Sequence, residues 1–170
     1  LCTKKKILLI VDEVQTGIGI TGKMWAHQHF CKTNCNLECI SHCKLIEPDI
    51  ISFGKKTQCC GIFAGKRLDE IDDHVFKESS RINSTFGGNL VDMVRFTIYL
   101  EIMDNENLLE MATENGSYLL SSLESLQDTK DDLISNVRGK GLFCAFDLPS
   151  DEFRDKLISN VEEEGALILG

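Results

Sequence analysis

The fold is decided by Ile7-Leu8-Leu9-Ile10-Val11-Asp12-Glu13-Val14-Gln15-Thr16-Gly17 and by Asp49-Ile50-Ile51-Ser52-Phe53-Gly54-Lys55-Lys56. Each stretch is a short apolar run that ends in polar residues. Apolar runs of this length are typical of strands that are buried on both faces in the parallel sheets of α/β proteins. We therefore predict an α/β fold in which both runs are strands.

Asp12 ends the first run, and Lys55 follows the second. Ligands of open α/β sheets lie beyond the carboxyl ends of the strands, so we expect the two side chains to face one crevice. This pairing suits an enzyme that uses pyridoxal phosphate. A lysine amine condenses with the aldehyde of that cofactor, and a carboxylate keeps its pyridine nitrogen protonated.

Five motifs resemble the class-III (ω-amino acid) aminotransferases, which are fold-type I pyridoxal-phosphate enzymes. They occur in the order of the family and run along nearly the whole chain. Within the family, the resemblance is greatest to the eukaryotic 4-aminobutyrate aminotransferases. The five motifs are Val11-Asp12-Glu13-Val14-Gln15-Thr16-Gly17, Thr21-Gly22-Lys23-Met24-Trp25-Ala26-His27-Gln28-His29, Ser52-Phe53-Gly54-Lys55-Lys56, Ser84-Thr85-Phe86-Gly87-Gly88-Asn89 and Val137-Arg138-Gly139-Lys140-Gly141-Leu142-Phe143-Cys144.

The resemblance implies part of the large-domain sheet with its helices, together with the start of the small C-terminal domain. Residues 1–105 are assigned to the cofactor-binding large domain, 106–130 to a connecting helix and linker, and 131–170 to the small domain. The chain enters and leaves through apolar runs, so we expect the middle-to-late part of a longer enzyme. The last run, residues 166–169, predicts a further buried strand.

Apolar residues recur at helical spacing over residues 89–103 and 107–126, which predicts two consecutive helices. Residues 142–148 are predicted as a strand, and residues 150–164 as a helix that Gly165 stops. Residues 23–30 are predicted as a short helix.

Lys55 is the predicted catalytic residue and covalent cofactor ligand. A freed, desolvated lysine amine can move a proton between a substrate carbon and the cofactor, the central step of transamination. A bare lysine would more often be a surface residue, and the preceding Ser52-Phe53-Gly54 favours catalysis. Lys56 is the competing candidate. The resemblance places the catalytic lysine directly after the small residue, which selects Lys55.

Asp12 is predicted to pair with the pyridine nitrogen, against the alternative of a helix cap or a solvated strand end. The resemblance implies that Val14 packs against one face of the cofactor ring and that Gln15 hydrogen-bonds its phenolic oxygen. Glu13 points to the opposite side of an extended strand and is predicted to be structural. Thr85, before a helix that begins near Gly88, is implied to reach the cofactor phosphate of the other subunit in a homodimer.

Two alternative sites compete with this interpretation. Gly17-Ile18-Gly19-Ile20-Thr21-Gly22 matches the G-x-G-x-x-G pattern of dinucleotide sites, but Glu13-Val14-Gln15-Thr16 separates it from the strand, which disfavours that assignment. Cys31, Cys35, Cys39 and Cys43, with His42, could form a metal site. Their four-residue spacing is not that of common zinc sites, and a surface insertion is favoured.

Charge and composition exclude several classes of function. The net charge of −9 argues against binding to nucleic acid or anionic membranes, which requires basic surface. No apolar run approaches the roughly 20 residues that span a bilayer. The eight cysteines occur without a secretory signal and are interpreted as free thiols.

The resemblance implies transfer of the amino group of 4-aminobutyrate to 2-oxoglutarate, which gives succinate semialdehyde and glutamate in the mitochondrial matrix. The alternatives are another ω-amino acid donor, of the ornithine or β-alanine type, and a non-catalytic dimerising relative. The residues that bind substrate carboxylates and the main phosphate loop are expected outside this chain.

Overall fold

The computed structural model describes residues 1–30 and 46–170, and within them the chain forms two compact units. The first unit is Leu1–Ala112, and the second is Thr113–Gly170. The cysteine-rich segment that raised the metal hypothesis lies outside the described residues. The assignment of residues 1–105, 106–130 and 131–170 to family domains stays a prediction.

A three-stranded sheet forms the centre of the first unit. Strands β1 (Ile10–Asp12) and β2 (Ile50–Phe53) are parallel, and β3 (Gly61–Ala64) pairs with β2 in the antiparallel direction. The strand order is β1-β2-β3. The predicted parallel pairing of the two apolar runs is therefore confirmed, and β3 is a strand that the sequence analysis did not predict.

The prediction that both runs are buried on both faces is wrong for β1. Ile10 is 60% exposed, because β1 is an edge strand among the described strands. The strand also begins later than the apolar run, after the short helix α1 (Cys2–Lys5). The prediction holds only in part for β2, where Phe53 is 9% exposed and the other three residues are half-buried.

Aromatic rings pack on one another at the end of β2, around the buried Phe53. The ring of Phe53 stacks on that of Phe63 with 4.7 Å between the centroids, and Trp25 meets both rings edge-on. Phe96, in helix α2 (Leu90–Asn105), packs on Phe53 at 6.2 Å. These contacts bring the segment after β1, the strand β2 and the helix α2 together around one cluster.

Helices follow the sheet much as their periodicity predicted. Helix α2 begins one residue after its cap Asn89, whose side chain accepts a hydrogen bond from the Val91 N–H. Helix α3 (Leu108–Thr129) comes next and contains the boundary between the two units. The short helix predicted over residues 23–30 is a 3₁₀ turn at Ala26–His29.

The second unit contains the hairpin of β4 (Ser135–Lys140) and β5 (Phe143–Asp147), followed by helix α4 (Asp151–Glu163). Ser150 caps α4, and Gly165 follows it with a φ of 88°, in the left-handed region that glycine tolerates. The buried strand predicted for residues 166–169 is wrong. Leu167 and Leu169 are exposed, and no described strand pairs with this run.

No helix within residues 1–30 and 46–170 combines the length and the apolar character that crossing a bilayer requires.

Candidate active site

The carboxyl ends of β1 and β2 bring the predicted site residues to one edge of the sheet. Asp12 is the last residue of β1 and is in register with Ser52 of β2. Lys55 begins a 3₁₀ turn, Lys55–Thr57, two residues after β2 ends. This edge of the sheet therefore carries both an acid and a primary amine, and the crevice expected between them stays a prediction.

The carboxylate of Asp12 is exposed and held by two hydrogen bonds. Its Oδ1 accepts from the Val14 N–H at 3.0 Å and from the Ser52 hydroxyl at 2.9 Å. These two bonds, together with the charge of Lys55, hold the pKa of Asp12 below its usual value, against a smaller opposing effect of burial. Asp12 does not cap a helix, and it stays a carboxylate at neutral pH.

The amine of Lys55 contacts the third predicted residue, Gln15. Lys55 Nζ donates a hydrogen bond to Gln15 Oε1 at 2.5 Å. The backbone of Lys55 is left-handed, with a φ of 53°, which is uncommon for a residue with a side chain. Residues held in such conformations concentrate at functional sites, where neighbouring structure over-determines them.

The turn after Lys55 is closed by backbone bonds and a buried threonine. The Gln58 N–H donates to the Lys55 carbonyl at 2.9 Å. Thr57 is fully buried, and its hydroxyl donates to the Cys59 carbonyl. These contacts over-determine the turn and stabilise the unusual backbone of Lys55.

Val14 lies beside Gly54, the residue before Lys55. A Cβ added to Gly54 would lie 3.8 Å from Val14 Cγ2 and only 2.9 Å from the sulfur of Cys60. A side chain at position 54 would overlap the sulfur of Cys60, so the close packing before Lys55 requires glycine. The predicted contact between Val14 and a cofactor ring stays a prediction.

Glu13 points away from Asp12 into the protein, as the alternation of strand side chains predicted. Its carboxylate is only 1% exposed. It accepts hydrogen bonds from the Thr16 hydroxyl, from the Ala26 and His27 N–H groups and, at 3.0 Å, it contacts His27 Nδ1. Burial alone raises the pKa of Glu13, but these bonds outweigh burial and leave that pKa lowered. Glu13 thus joins the loop after β1 to the 3₁₀ turn at Ala26–His29.

Gly17, the first glycine of the segment that matched a dinucleotide pattern, packs closely against Glu13 and Trp25. A Cβ on Gly17 would lie 2.7 Å from the Glu13 carbonyl oxygen and 2.8 Å from the Trp25 ring. The Gly17 N–H donates to the Glu13 carbonyl at 2.8 Å. Gly17 is therefore required for close packing against Trp25.

Thr85 is the one predicted site residue that this edge of the sheet does not bring to Lys55. It is exposed, in the turns that precede the Asn89 cap of α2. Among the described residues, no hydrogen bond joins it to Asp12, Gln15 or Lys55. Its predicted contact with the phosphate of a partner subunit stays a prediction.

The sequence analysis did not assign a contact within the site to two residues, Ser52 and Lys56. Ser52 bonds Asp12 across the strands, and the pairing of the two apolar runs in register could have indicated it. Lys56 was weighed only as a competitor for Lys55. Its Nζ is instead engaged at 2.6 Å by the Gln15 carbonyl oxygen, and no sequence signal predicted that contact.

Within the described ranges, histidine, cysteine, aspartate and glutamate side chains do not cluster in a group that could hold a metal ion. The described cysteines Cys2, Cys59, Cys60 and Cys144 are free.

Comparison with known proteins identifies the family. Residues 1–170 match the family described as aminotransferase class-III. The L-lysine-epsilon aminotransferase of Mycobacterium tuberculosis (strain ATCC 25618 / H37Rv) is 44% identical over 99% of this chain and 34% of its own length. The mitochondrial 4-aminobutyrate aminotransferase of Sus scrofa is 35% identical, over 95% of this chain and 29% of its own length.

A solved structure agrees with the sequence matches. The structure described as lysine aminotransferase from M. tuberculosis in the internal aldimine form is 44% identical to this chain, with a TM-score of 0.84. The match covers 99% of this chain and 36% of that structure. The chain spans about a third of the length of the curated lysine aminotransferases that it matches.

The chain belongs to the class-III aminotransferases, which are pyridoxal-phosphate enzymes of the α/β fold-type I architecture. Three functional groups at the sheet edge fit this cofactor. They are an exposed primary amine on Lys55, an ionised carboxylate on Asp12 and, on Gln15, an amide that contacts the amine.

The prediction that the resemblance is greatest to the eukaryotic 4-aminobutyrate aminotransferases needs correction. The chain is more similar to the lysine aminotransferases, at 44% identity, than to the 4-aminobutyrate aminotransferase of Sus scrofa, at 35%. The lysine aminotransferases with 44% identity are bacterial, so the comparisons do not support the predicted mitochondrial location.

Proposed function

We propose that this chain forms the lysine-bearing part of an ω-amino acid aminotransferase, with Lys55 as the residue that binds pyridoxal phosphate covalently and moves the proton. The observation that carries the proposal is the hydrogen bond of 2.5 Å from Lys55 Nζ to Gln15 Oε1, next to the ionised carboxylate of Asp12. This arrangement places a nucleophilic amine and an anion at adjacent strand ends.

Each residue has a separate role in this proposal. When bound, pyridoxal phosphate supplies an aldehyde that condenses with amines and a ring that accepts an electron pair. Asp12 holds a proton on the pyridine nitrogen, because an ionised carboxylate stabilises the positive charge there. Val14, beside Gly54, packs against the ring. Gln15 positions the Lys55 amine. With the cofactor bound, the Gln15 side chain would instead hydrogen-bond the phenolic oxygen of the cofactor.

Lys55 Nζ is the group that takes and returns the proton. With the cofactor bound, the uncondensed Lys55 amine would accept a proton from the substrate carbon and would return it to the aldehyde carbon of the cofactor, on the other side of the amine nitrogen. A primary amine close to the reacting atoms suits this role, and the exposed position of Lys55 leaves room for a substrate.

The first candidate donor is the terminal amine of L-lysine, with 2-oxoglutarate as the acceptor. It is favoured by the 44% identity to L-lysine-epsilon aminotransferases. The second candidate is 4-aminobutyrate, which the motifs predicted and the 35% identity to the Sus scrofa enzyme supports. Both donors present a primary amine on a terminal methylene, so Asp12 and Lys55 serve either of them in the same way.

The test uses the full-length protein and two matched variants. Borohydride treatment with pyridoxal phosphate should fix the cofactor to the peptide that contains Lys55, and Lys55→Ala should abolish both fixation and turnover. Lys77→Ala, an exposed lysine distant in sequence, is the control and should keep both. Fixation to another lysine, or turnover by Lys55→Ala, would sink the proposal.

Glutamate formation from 2-oxoglutarate then separates the donors. We expect L-lysine to give a larger kcat/KM than 4-aminobutyrate, and the reverse order would select the second candidate. A protein that binds the cofactor without forming glutamate from any ω-amino acid would be a non-catalytic relative. Size-exclusion chromatography with light scattering tests the proposed homodimer.

A further inference from the structure

Two consecutive lysines bond the same glutamine at different atoms. Lys55 Nζ donates to the side-chain Oε1 of Gln15, and Lys56 Nζ donates to its main-chain oxygen at 2.6 Å. Gln15 belongs to the loop after β1, whereas both lysines belong to the turn after β2. The lysines therefore tie the two strand ends together through one residue.

The backbone of the turn makes this double contact possible. Consecutive side chains of an extended strand point to opposite faces, and they could not both reach Gln15. The left-handed φ of 53° at Lys55 and the 3₁₀ turn that it begins bring both amines to the same loop. The Lys56 contact in turn holds this uncommon backbone conformation in place.

The environment of Lys56 differs from that of an ordinary surface lysine. Its side chain is half-buried, and burial, followed by the nearby charge of Lys55, lowers the pKa of Lys56 while Glu13 acts in the opposite direction. A charged donor forms a shorter and stronger hydrogen bond to a carbonyl than a neutral donor does. The bond from Lys56 is thus suited to fixing the Gln15 main chain.

We propose that Lys56 is a positioning residue, whose amine holds the main chain of Gln15 so that the Gln15 amide meets the amine of Lys55. The proposal rests on the function proposed above. In this proposal Lys56 acts through Gln15 rather than through a contact of its own with cofactor or substrate. Loss of its amine would release the loop after β1 and leave Lys55 without its partner at the correct place.

The experiment compares three variants of the full-length protein. Lys56→Met removes the donor and keeps an apolar stem, Lys56→Arg keeps a charged donor, and Lys66→Met replaces an exposed lysine as the control. For each apoprotein, the rate at which added pyridoxal phosphate becomes borohydride-fixed to the Lys55 peptide is measured. Glutamate formation then gives kcat and KM separately.

We expect Lys56→Met to slow fixation and kcat by about tenfold, because misplacement of a reacting group by a fraction of an ångström has effects of this order. KM values should stay within about twofold, since in this proposal Lys56 does not act through a contact with substrate. Lys56→Arg should restore most of both rates, and Lys66→Met should match the wild type. If Lys56→Met does not fold, Lys56→Leu replaces it, because leucine likewise has no hydrogen-bond donor.

Wild-type rates in Lys56→Met would overturn the proposal. Equal losses in Lys56→Arg and Lys56→Met would also overturn it, because packing rather than a donated hydrogen bond would then matter. Lys55→Ala in the same assay separates the two hypotheses. Turnover by Lys55→Ala contradicts the proposed function, whereas its inactivity beside an unaffected Lys56→Met contradicts only the role of Lys56.

Discussion

Asp12 and Ser52 are opposite each other on the parallel strands β1 and β2, and the Ser52 hydroxyl donates to Asp12 Oδ1 at 2.9 Å. This bond directs the carboxylate along the edge of the sheet where Lys55 follows β2. Parallel strands end at the same side of a sheet, so their terminal polar residues meet. The placement of Asp12 and Lys55 at the same edge is therefore a property of strand register.

Replacement of Asp12 by asparagine should weaken cofactor binding and slow the reaction. A neutral amide cannot stabilise a protonated pyridine nitrogen, so we expect Asp12→Asn to lower kcat by about a hundredfold or more, within the range of general acid–base effects. The measurement is glutamate formation by the full-length protein, with cofactor occupancy from absorbance. Near wild-type turnover would show that Asp12 is merely structural.

The pH dependence of Asp12 offers a milder test through Ser52. Hydrogen bonds from Val14 and Ser52 lower the pKa of Asp12. The carboxylate therefore stays ionised to a pH below the ordinary aspartate pKa of about 3.9. Ser52→Ala removes one of these bonds and should shift loss of cofactor affinity to higher pH. Ser52→Thr keeps a hydroxyl and should retain the wild-type profile. Identical acid limbs in all three proteins would contradict the role of Ser52.

Glu13→Gln should destabilise the full-length protein most at neutral pH. The amide offers one oxygen where the carboxylate accepts with both, so half-buried donors on residues 26 and 27 or on Thr16 lose a partner on the buried Glu13 side chain, at about 1 kcal/mol. Because the folded pKa of Glu13 is lowered, its stabilisation is present above the unfolded pKa, about 4.3, and is lost as pH falls through the folded pKa.

The measurement for Glu13 is urea unfolding at neutral pH and below the ordinary glutamate pKa. The difference between wild type and Glu13→Gln should shrink in acid. Glu78→Gln, at an exposed position, is the control and should leave stability unchanged at both pH values. A difference that grows in acid would mean that Glu13 is protonated in the native protein.

Gly17→Ala should destabilise the protein by steric overlap alone. Its Cβ would lie 2.7 Å from the Glu13 carbonyl oxygen and 2.8 Å from the Trp25 ring, and overpacking of this kind costs about 1–3 kcal/mol. Gly65→Ala is the control, since its Cβ would meet neighbours at ordinary contact distances of 3.5 Å and beyond. Equal urea midpoints for the two variants would contradict the close packing at Gly17.

The predicted contribution of Thr85 to the other subunit can be tested by mixing inactive partners. Lys55→Ala should be inactive, and Thr85→Val should retain pyridoxal phosphate poorly. In a dimer of one of each, one site combines an intact Lys55 with an intact Thr85 from the partner. Random assembly should then restore about a quarter of the wild-type sites. No gain over the separate variants would place Thr85 in the site of its own subunit.

Local sequence was sufficient to predict those strands and helices whose residue pattern can be recognised without knowledge of their partners. The apolar runs before Asp12 and Lys55 predicted two parallel strands, and helical spacing predicted α2 and α3 close to their bounds. It failed at β3 and β4, which lack a long apolar run, and at residues 166–169, where an apolar run pairs with no described strand. Strands depend on partners, whereas a helix makes its hydrogen bonds within its own segment.

The sequence by itself indicated the class of protein, through motifs that resemble the class-III aminotransferases, and with it Lys55, Asp12, Val14, Gln15 and Thr85 as candidates, because a short motif is local information. Tertiary structure alone decided which atoms meet. Lys55 and Gln15, and likewise Asp12 and Ser52, are 40 residues apart, and each pair is brought together by the register of β1 on β2. The left-handed turn at Lys55 decided the contact of Lys56, since a φ value is set by surrounding packing and not by the lysine itself.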